Sequence, residues 1–252
     1  LGPVGYVFAI FHLLTHGVFK AGLFLGAGSV MHGMNDNVNM RRFGALRTVM
    51  AITAGTFIVC YLTIIGIPPL SAFFSKDDII HASFERSPVI GILAMLAAGL
   101  TGFYMTRLVA MTFFGKARWE DDAHPHESPK VMTIPLVILA IGAAFLGMSL
   151  VYWGNIETWL EPVTGLQEVP LPLPSWVYET VTLALVLIGA AIAWTMYARR
   201  EVPVEAPHGS WLTRAARNEL YGNEVNDALV VRPVYHSSRW LVWFDNKGVD
   251  GI

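Results

Sequence analysis

Residues 66–80 read G-I-P-P-L-S-A-F-F-S-K-D-D-I-I, and they interrupt an apolar part of the chain. Residues 52–66, which lead into this segment, carry no charged side chain. Because Pro68 and Pro69 lack backbone donors and clash with the preceding turn, an α-helix is predicted to break at this point. Inside a bilayer such a break is tolerated only where the freed backbone is buried in protein or lines a wet cavity.

The composition of the whole chain is typical of an integral membrane protein. Of its 252 residues, 54% are hydrophobic and 14% are charged, whereas a soluble domain has about 25% charged residues. The net charge of −2 indicates no nucleic-acid partner. The single cysteine, Cys60, excludes an internal disulfide and a cysteine-based metal cluster, and we expect it to be a small buried hydrophobic residue.

Five apolar stretches are predicted to cross the membrane, since each reaches the ~20 residues that a hydrocarbon core requires. They cover residues 4–31, 46–67, 88–114, 131–153 and 176–199, with a broken continuation of the second stretch over residues 70–84. The expected fold class is an all-α, polytopic transmembrane helix bundle over residues 1–200, with its second span broken near residues 68–69. The chain does not begin with methionine, and we expect it to be a fragment of a longer protein.

The basic residues indicate how these stretches are oriented. Lys and Arg cluster after the first, third and fifth stretches, whereas only Arg86 follows the second and none lies in residues 154–175. Basic and non-basic loops therefore alternate, as the positive-inside rule requires. We expect the N-terminal end to lie outside, and Arg41, Lys116 and Arg199 to lie in the cytoplasm, or in a matrix or stroma, on the side of the tail.

Residues 120–127, E-D-D-A-H-P-H-E, form a polar segment between the third and fourth stretches. They contain His124 and His126, which are potential metal ligands. Because a third convergent ligand is not evident, a solvated loop is favoured here over a metal site.

The tail, residues 201–252, has a more mixed composition. Four of its apolar residues have helical spacing and share one face: Tyr221, Val225, Ala228 and Leu229. Residues 222–223 are predicted to start this helix and Pro233 to kink it. We interpret the tail as an amphipathic helix that lies on the membrane, and a small soluble appendage is the alternative.

His12, His16 and Lys20 recur at every fourth position of the first apolar stretch. A step of four residues advances an α-helix by only about 40°, so the three side chains are predicted to lie along one face. Histidine titrates near neutrality, and burial makes it easier for a lysine to give up its proton. The stripe therefore has the chemistry of a proton path through a membrane.

Three other interpretations of this stripe stay open. His-x3-His is also a zinc spacing, but Leu13 stands where zinc proteases have glutamate, and no third ligand is evident. The two histidines can instead be bonded to backbone carbonyls in the protein core. Lys20 can extend towards an interface, although the long apolar run after it argues against this.

Lys76, followed by Asp77 and Asp78, is the second candidate site. Consecutive residues point in different directions on a helix, so Lys76 is not expected to pair with Asp77 by stacking. A broken helix beside an ion-binding residue is typical of transporter sites, and a lysine at a membrane helix centre costs about 2.5–3.5 kcal/mol on insertion scales. The alternative is that residues 75–78 are simply the loop at the end of a span.

Three segments together resemble a known family: H-L-L-T-H-G-V-F-K-A-G-L-F-L at residues 12–25, the opening segment at residues 66–80, and R-N-E-L-Y-G-N-E-V-N-D-A-L-V-V-R-P at residues 217–233. The first two resemble the antiporter-like subunits of proton-pumping NADH–quinone oxidoreductase, respiratory complex I. Within that family, F-S-K-D at residues 74–77 and the tail segment favour the branch called chain L in bacteria and chain 5 in mitochondria. The resemblance covers essentially the whole sequence.

The resemblance implies roles for the candidate residues. His12, His16 and Lys20 would form the proton connection at mid-membrane, and Lys76 would be the terminal lysine that loads and releases a proton, with Asp77 tuning it. Family members are more than twice as long, so the chain is expected to be a C-terminal-half fragment that ends within a lateral helix bracing neighbouring subunits.

The resemblance also implies cofactors and partners. This chain is expected to hold no cofactor and no redox site, because flavin, iron–sulfur clusters and quinone are bound by other subunits of the enzyme complex. The expected partners are the other membrane-arm subunits, the lipid bilayer and protons. The expected location is a bacterial inner membrane.

Two other functions stay open. Subunits of related multisubunit Na⁺/H⁺ antiporters or membrane-bound hydrogenase complexes share the His-His-Lys and Ser-Lys motifs, although we expect glutamate often to follow the lysine there, where this chain has Asp77. A purely structural membrane scaffold is the other alternative. It predicts that Lys20 and Lys76 tolerate replacement by apolar residues.

Overall fold

The computed structural model describes residues 4–120, 123–165, 173–205 and 208–249. Throughout these ranges the regular elements are helices, and the predicted all-α membrane bundle is confirmed. The chain forms two compact units, Leu1–Val204 and Glu205–Ile252. Parts of two predicted loops, residues 121–122 and 166–172, lie outside the described residues.

The first unit is built from the helices α1 to α7. Their bounds are α1 (Val4–Gly33), α2 (Ala51–Ile65), α3 (Ser71–Arg86), α4 (Pro88–Phe113), α5 (Lys130–Tyr152), α6 (Ile156–Thr164) and α7 (Ser175–Tyr197). Within the described part of the chain, α1, α4, α5 and α7 are long and apolar enough to cross a membrane. These four helices begin and end within two residues of the predicted stretches.

The second predicted span needs correction, because it is not a single crossing helix that begins at residue 46. A short 3₁₀ turn occupies Leu46–Thr48, and α2 follows with only 15 residues. At 1.5 Å per residue α2 is about 22 Å long, whereas a hydrocarbon core is about 30 Å thick. α2 alone is therefore too short to cross the core, and the chain continues from its C-terminal end into the more polar α3.

The break between α2 and α3 falls where the two prolines predict it. α2 ends at Ile65, and Gly66 follows in the left-handed region with φ of +84°. Glycine caps a helix end in this conformation without the steric cost that a Cβ would have. After Pro68 and Pro69, α3 begins at Ser71.

α3 occupies the centre of the first unit, because it contacts α1, α2, α4, α5 and α7. Ser71 ties its N-terminal end to the backbone of α5. The Ser71 hydroxyl donates to the Gly142 carbonyl over 3.1 Å and accepts from the Gly147 N–H over 2.8 Å. A Cβ on Gly147 would lie 2.4 Å from the Ser71 carbonyl oxygen, so the absence of a side chain there allows the two helices to meet.

The N-terminal end of α2 is capped by a residue from the loop before α5. One carboxylate oxygen of Glu127 accepts from the Ile52 N–H over 2.7 Å and from the Thr53 N–H over 3.3 Å. The other accepts from the Thr53 hydroxyl over 2.6 Å. Because the N-terminus of a helix attracts negative charge, this contact stabilises α2 and fixes the loop.

The loop of residues 120–127 is therefore only partly as predicted. His124 and His126 are exposed, but Glu127 is half-buried against α2 and is not a solvated residue. Among the described residues no group of three His, Cys, Asp or Glu side chains is arranged to hold a metal ion. Cys60 is buried, as predicted.

The second unit consists of short helical segments: α8 (Trp211–Arg217), α9 (Gly222–Asn226) and α10 (Arg232–Phe244), with π-helical turns at Asp227–Val231 and Asp245–Val249. Helical structure resumes at Gly222, as the sequence predicts. Pro233 lies in the first turn of α10, and the wide π-helical turn before it accommodates a residue without a backbone donor. The placement of the second unit on a membrane surface stays a prediction.

α4 and α7 pack closely, and this contact gives a test of the fold. Gly102 of α4 faces the backbone of α7, and a Cβ there would lie 2.5 Å from the Val186 carbonyl oxygen. Gly102→Ala must push the helices apart, and overpacking of this kind costs about 1–3 kcal/mol. We expect the free energy of unfolding of the full-length protein in detergent to fall by that amount relative to Gly28→Ala.

Gly28→Ala is the matched control, because it adds the same methyl group to a helix where no other atom lies within 4 Å. The gain in helix propensity is then common to both variants. Equal unfolding free energies for the two variants would contradict the close packing of α4 on α7.

Candidate functional site

His12, His16 and Lys20 lie along one face of α1, as their spacing requires. All three side chains are half-buried, and the ring centroids of His12 and His16 are 5.5 Å apart. The Lys20 charge acts on the His16 imidazole. The three groups therefore form a continuous line of titratable side chains, and their role in proton transfer stays a prediction.

Ser75 of α3 joins this line from the broken helix. The Ser75 hydroxyl lies 2.9 Å from Nδ1 of His12 and 3.0 Å from the Thr15 hydroxyl. Thr15 itself lies within 3.3 Å of the Phe11 carbonyl and 3.1 Å of the His12 carbonyl. The two motifs that the sequence analysis treated separately are therefore in direct contact.

Two arrangements of protons satisfy this cluster, because each hydroxyl has one proton to donate and either hydroxyl can be the donor. In the first, Thr15 donates to a carbonyl of its own helix, Ser75 donates to Thr15, and the Nδ1–H of His12 donates to Ser75. In the second, Thr15 donates to Ser75 and Ser75 donates to Nδ1. In the first arrangement Nε2 of the neutral ring is the acceptor and can take up a further proton.

Lys76 lies at the broken end of α2. Its ammonium donates to the Ile65 carbonyl over 3.4 Å, and the space beside Gly66 is bounded by the Lys76 side chain. The last carbonyls of a helix have no partner in that helix and attract positive charge. The break thus creates a position for a cation, and the Lys76 charge acts on the neighbouring His12 ring.

The two aspartates after Lys76 have different neighbours. In the part of the chain that the structure describes, the ion pairs are Arg42–Glu120, Lys116–Glu201 and Arg232–Asp227, and none involves Lys76. Asp77 lines a small cavity together with Lys76. Asp78 is influenced by the charges of Glu157, Asp77 and Glu179, and Glu157 is the neighbour that Asp77 does not share. The expectation that Lys76 does not pair directly with Asp77 agrees with this arrangement.

The structure places residues 75–78 in α3 and not in a loop. The alternative that they are only the end of a span therefore finds no support. Lys76 is half-buried and its ammonium contacts the end of α2, which is not the environment of a solvated turn.

Four residues of the site are not predicted from the sequence: Thr15 and Ser75 in the cluster around His12, and Glu179 and Thr182, which line the cavity beside Lys76. Ser75 stands in the decisive stretch immediately before Lys76. Glu179 is the lone carboxylate of the fifth apolar stretch, and an intramembrane carboxylate is a signal of function. Thr15 and Thr182 are common residues on apolar helices, and no sequence pattern distinguishes them.

Comparison with known proteins gives consistent results. Residues 2–101 match the family described as NADH:quinone oxidoreductase/Mrp antiporter, transmembrane. The whole chain is 49% identical, over 257 aligned residues, to NADH-quinone oxidoreductase subunit L of Mycobacterium tuberculosis, and covers 41% of that protein. It is 34% identical over 286 residues to NAD(P)H-quinone oxidoreductase chain 5 of a Picosynechococcus species, with 43% of that protein covered.

A third relative, NADH-quinone oxidoreductase subunit L of Rickettsia bellii, is 33% identical over 249 residues, which are 92% of this chain and 38% of the relative. The chain thus spans about two fifths of the length of these relatives. The candidate residues of α1 and α3 fall within the matched family region, whereas Glu179 and Thr182 lie beyond it.

The contact between Ser75 and His12 generates a stability prediction. Ser75→Ala leaves Nδ1 of the half-buried His12 without its partner, and a polar group left unsatisfied on burial costs about 1–3 kcal/mol. We expect the free energy of unfolding of the full-length protein in detergent to fall by this amount. Ser83→Ala is the matched control, because the Ser83 hydroxyl bonds to the Ile79 carbonyl of its own helix. An equal, small effect of both variants would refute the bridge.

Proposed function

Since this chain belongs to the antiporter-like transmembrane family of NADH–quinone oxidoreductase subunits and is related to subunit L along its whole length, we propose that it moves protons through the membrane. The driving force is quinone reduction elsewhere in the complex. We place the proton path on Lys20, His16, His12, Ser75 and Lys76, which we call the proton row. Flavin, iron–sulfur clusters and quinone are assigned to other subunits.

The observation that carries the proposal is the contact between Ser75 and His12, because it joins the stripe on α1 to the broken helix. A proton from Lys20 passes to His16 and then to the free Nε2 of His12. The imidazolium that forms releases a proton towards Lys76. Histidine suits this relay, because it can accept a proton on one nitrogen while it donates from the other.

The end of α2 offers a way to change the proton affinity of Lys76. A helix terminus stabilises a neighbouring charge by about 0.3–1 kcal/mol at a surface and up to ~2 kcal/mol in a partly buried geometry. Moving one charge against the membrane potential costs about 2.3 kcal/mol per 100 mV. Withdrawal of the Ile65 carbonyl therefore supplies part of the required switch, and a change in water access to Lys76 supplies the rest.

We also propose partners and an orientation for the chain. The chain is an integral membrane protein whose family and helices are established. We place other membrane-arm subunits and lipid around it, in a bacterial inner membrane. The N-terminal end lies outside and Arg41, Lys116 and Arg199 face the cytoplasm, as the distribution of basic residues favours.

A second candidate function is sodium–proton exchange in a related multisubunit antiporter, because the matched family includes Mrp antiporters. The relatives described above are named as quinone oxidoreductase subunits, which favours the first candidate. Sodium uptake into vesicles that persists without quinone reduction would favour the second.

Lys76→Ala tests the proposed function. In the full-length subunit, assembled in its complex in sealed vesicles, we expect fewer protons pumped per electron, because the row loses its terminal carrier. Quinone reduction measured without a membrane potential stays at the unmodified rate. Acidification of the vesicle lumen and quinone reduction are followed together. Lys130→Ala, at the exposed start of α5, is the matched control.

An unchanged proton-to-electron ratio in Lys76→Ala would contradict the proposed function. If the Lys76→Ala complex assembles and retains both its electron transfer and its proton-to-electron ratio, then Lys76 carries no proton and a structural scaffold becomes the better description of this chain.

A further inference from the structure

A small cavity between α3 and α7 lies directly beside Lys76. Its polar lining comes from Lys76 and Asp77 on α3 and from Glu179 and Thr182 on α7. We call it the exit cavity. Its volume of about 10 Å³ is close to the minimum that holds one water molecule. The cavity thus brings a lysine and two carboxylates around a space of molecular size.

The buried hydroxyl of Thr182 indicates that this space holds a polar ligand. The residue is 4% exposed, and its hydroxyl has no hydrogen-bond partner in the described part of the chain. Thr63 and Thr106, on other helices, donate to the carbonyl four residues earlier, as helical threonines commonly do. Since an unsatisfied buried hydroxyl costs about 1–3 kcal/mol, Thr182 points to a water molecule in the cavity.

The two carboxylates of the exit cavity are close enough to influence each other. The charges of Lys76 and Glu179 both act on Asp77. Among the described residues, neither Asp77 nor Glu179 forms an ion pair with a cationic group within 4.0 Å. Their oxygens are therefore available to accept hydrogen bonds from a water molecule or from a protonated lysine.

We propose that Glu179 of α7 accepts the proton that Lys76 releases, through one water molecule held by the Thr182 hydroxyl. This inference rests on the proposed function. An N–H bond of the Lys76 ammonium breaks and its proton goes to the water, while the water gives one of its own protons to the Glu179 carboxylate. Lysine becomes neutral, glutamate becomes a neutral acid, and the water is regenerated.

The position of Glu179 sets the direction of release. It lies in the second turn of α7, the end that follows the loop of residues 154–175, which contains no Lys or Arg. The charges of Glu157 and Glu179 both act on Asp78. The proton therefore leaves on the face opposite the basic loops, through a helix outside the matched family region.

The test uses isosteric variants of the full-length subunit in its assembled complex in sealed vesicles. Glu179→Gln removes the acceptor and Thr182→Val removes the hydroxyl, while both keep the side-chain shape. We expect the proton-to-electron ratio to fall in each variant as far as in Lys76→Ala. Thr180→Val and Glu161→Gln are the matched controls, because both residues are exposed and lie outside the exit cavity.

Infrared difference spectra recorded during turnover give a readout that a merely structural role would not change. We expect a band from a protonated carboxylic acid that is present in the unmodified complex and in Glu161→Gln but absent in Glu179→Gln. If the Glu179→Gln complex does not assemble, the proton-to-electron ratio of Thr182→Val decides, and an unchanged ratio overturns the inference.

The outcomes separate this inference from the proposed function. If the proton-to-electron ratio falls in Lys76→Ala but not in Glu179→Gln or Thr182→Val, then Lys76 takes part in pumping and the proposed exit through α7 is refuted. Unchanged ratios in all three variants mean that the proposed function is wrong as well.

Discussion

The contact between the carbonyl end of α2 and the Lys76 ammonium is the interaction on which the rest of the site depends. α2 is too short to cross a hydrocarbon core, and its last residues, Ile64 and Ile65, are buried in the protein, where an unpaired polar group is costly. Lys76 provides a donor for the Ile65 carbonyl, and the helix terminus in turn stabilises the ammonium. Each group has the partner that makes the other tolerable in the membrane.

The surrounding helices keep this contact in place. The Thr63 hydroxyl, near the end of α2, shares its proton between the Val59 carbonyl of its own helix and the Ala143 carbonyl of α5, 3.2 Å away, and Ser71 at the start of α3 bonds to the same stretch of α5. Both sides of the break are therefore anchored to one neighbouring helix. These bonds to α5 fix the two ends of the break, and with them the position of Lys76 beside the Ile65 carbonyl.

Much of this architecture could be predicted from the sequence. Apolar length identified α1, α4, α5 and α7 because each needs about 20 residues to cross a membrane, and Pro68 and Pro69 located the break because proline removes a backbone donor. The four-residue spacing of His12, His16 and Lys20 gave their common face. These features depend on local geometry, which the sequence records directly.

The remainder depends on which helices become neighbours, and one sequence does not record that. The bridge from His12 to Ser75 joins residues 63 positions apart, and Glu127 caps α2 from a loop 75 positions beyond Ile52. The start of the second span was placed too early, because the apolar residues near Leu46 form a 3₁₀ turn that apolarity alone does not separate from a membrane helix. Glu179 carried a signal as an intramembrane carboxylate, but its proximity to Lys76 required the packing of α7.

The central claim is that Lys20 and Lys76 belong to one proton row, and a double-mutant cycle tests it most directly. The proton-to-electron ratio is measured in sealed vesicles for Lys20→Ala, for Lys76→Ala and for the double variant of the full-length subunit. Residues that act as one unit have non-additive effects. The account predicts that the double variant pumps no less than either single variant. Losses that add in the double variant would mean that the two lysines serve separate paths, which would contradict the row.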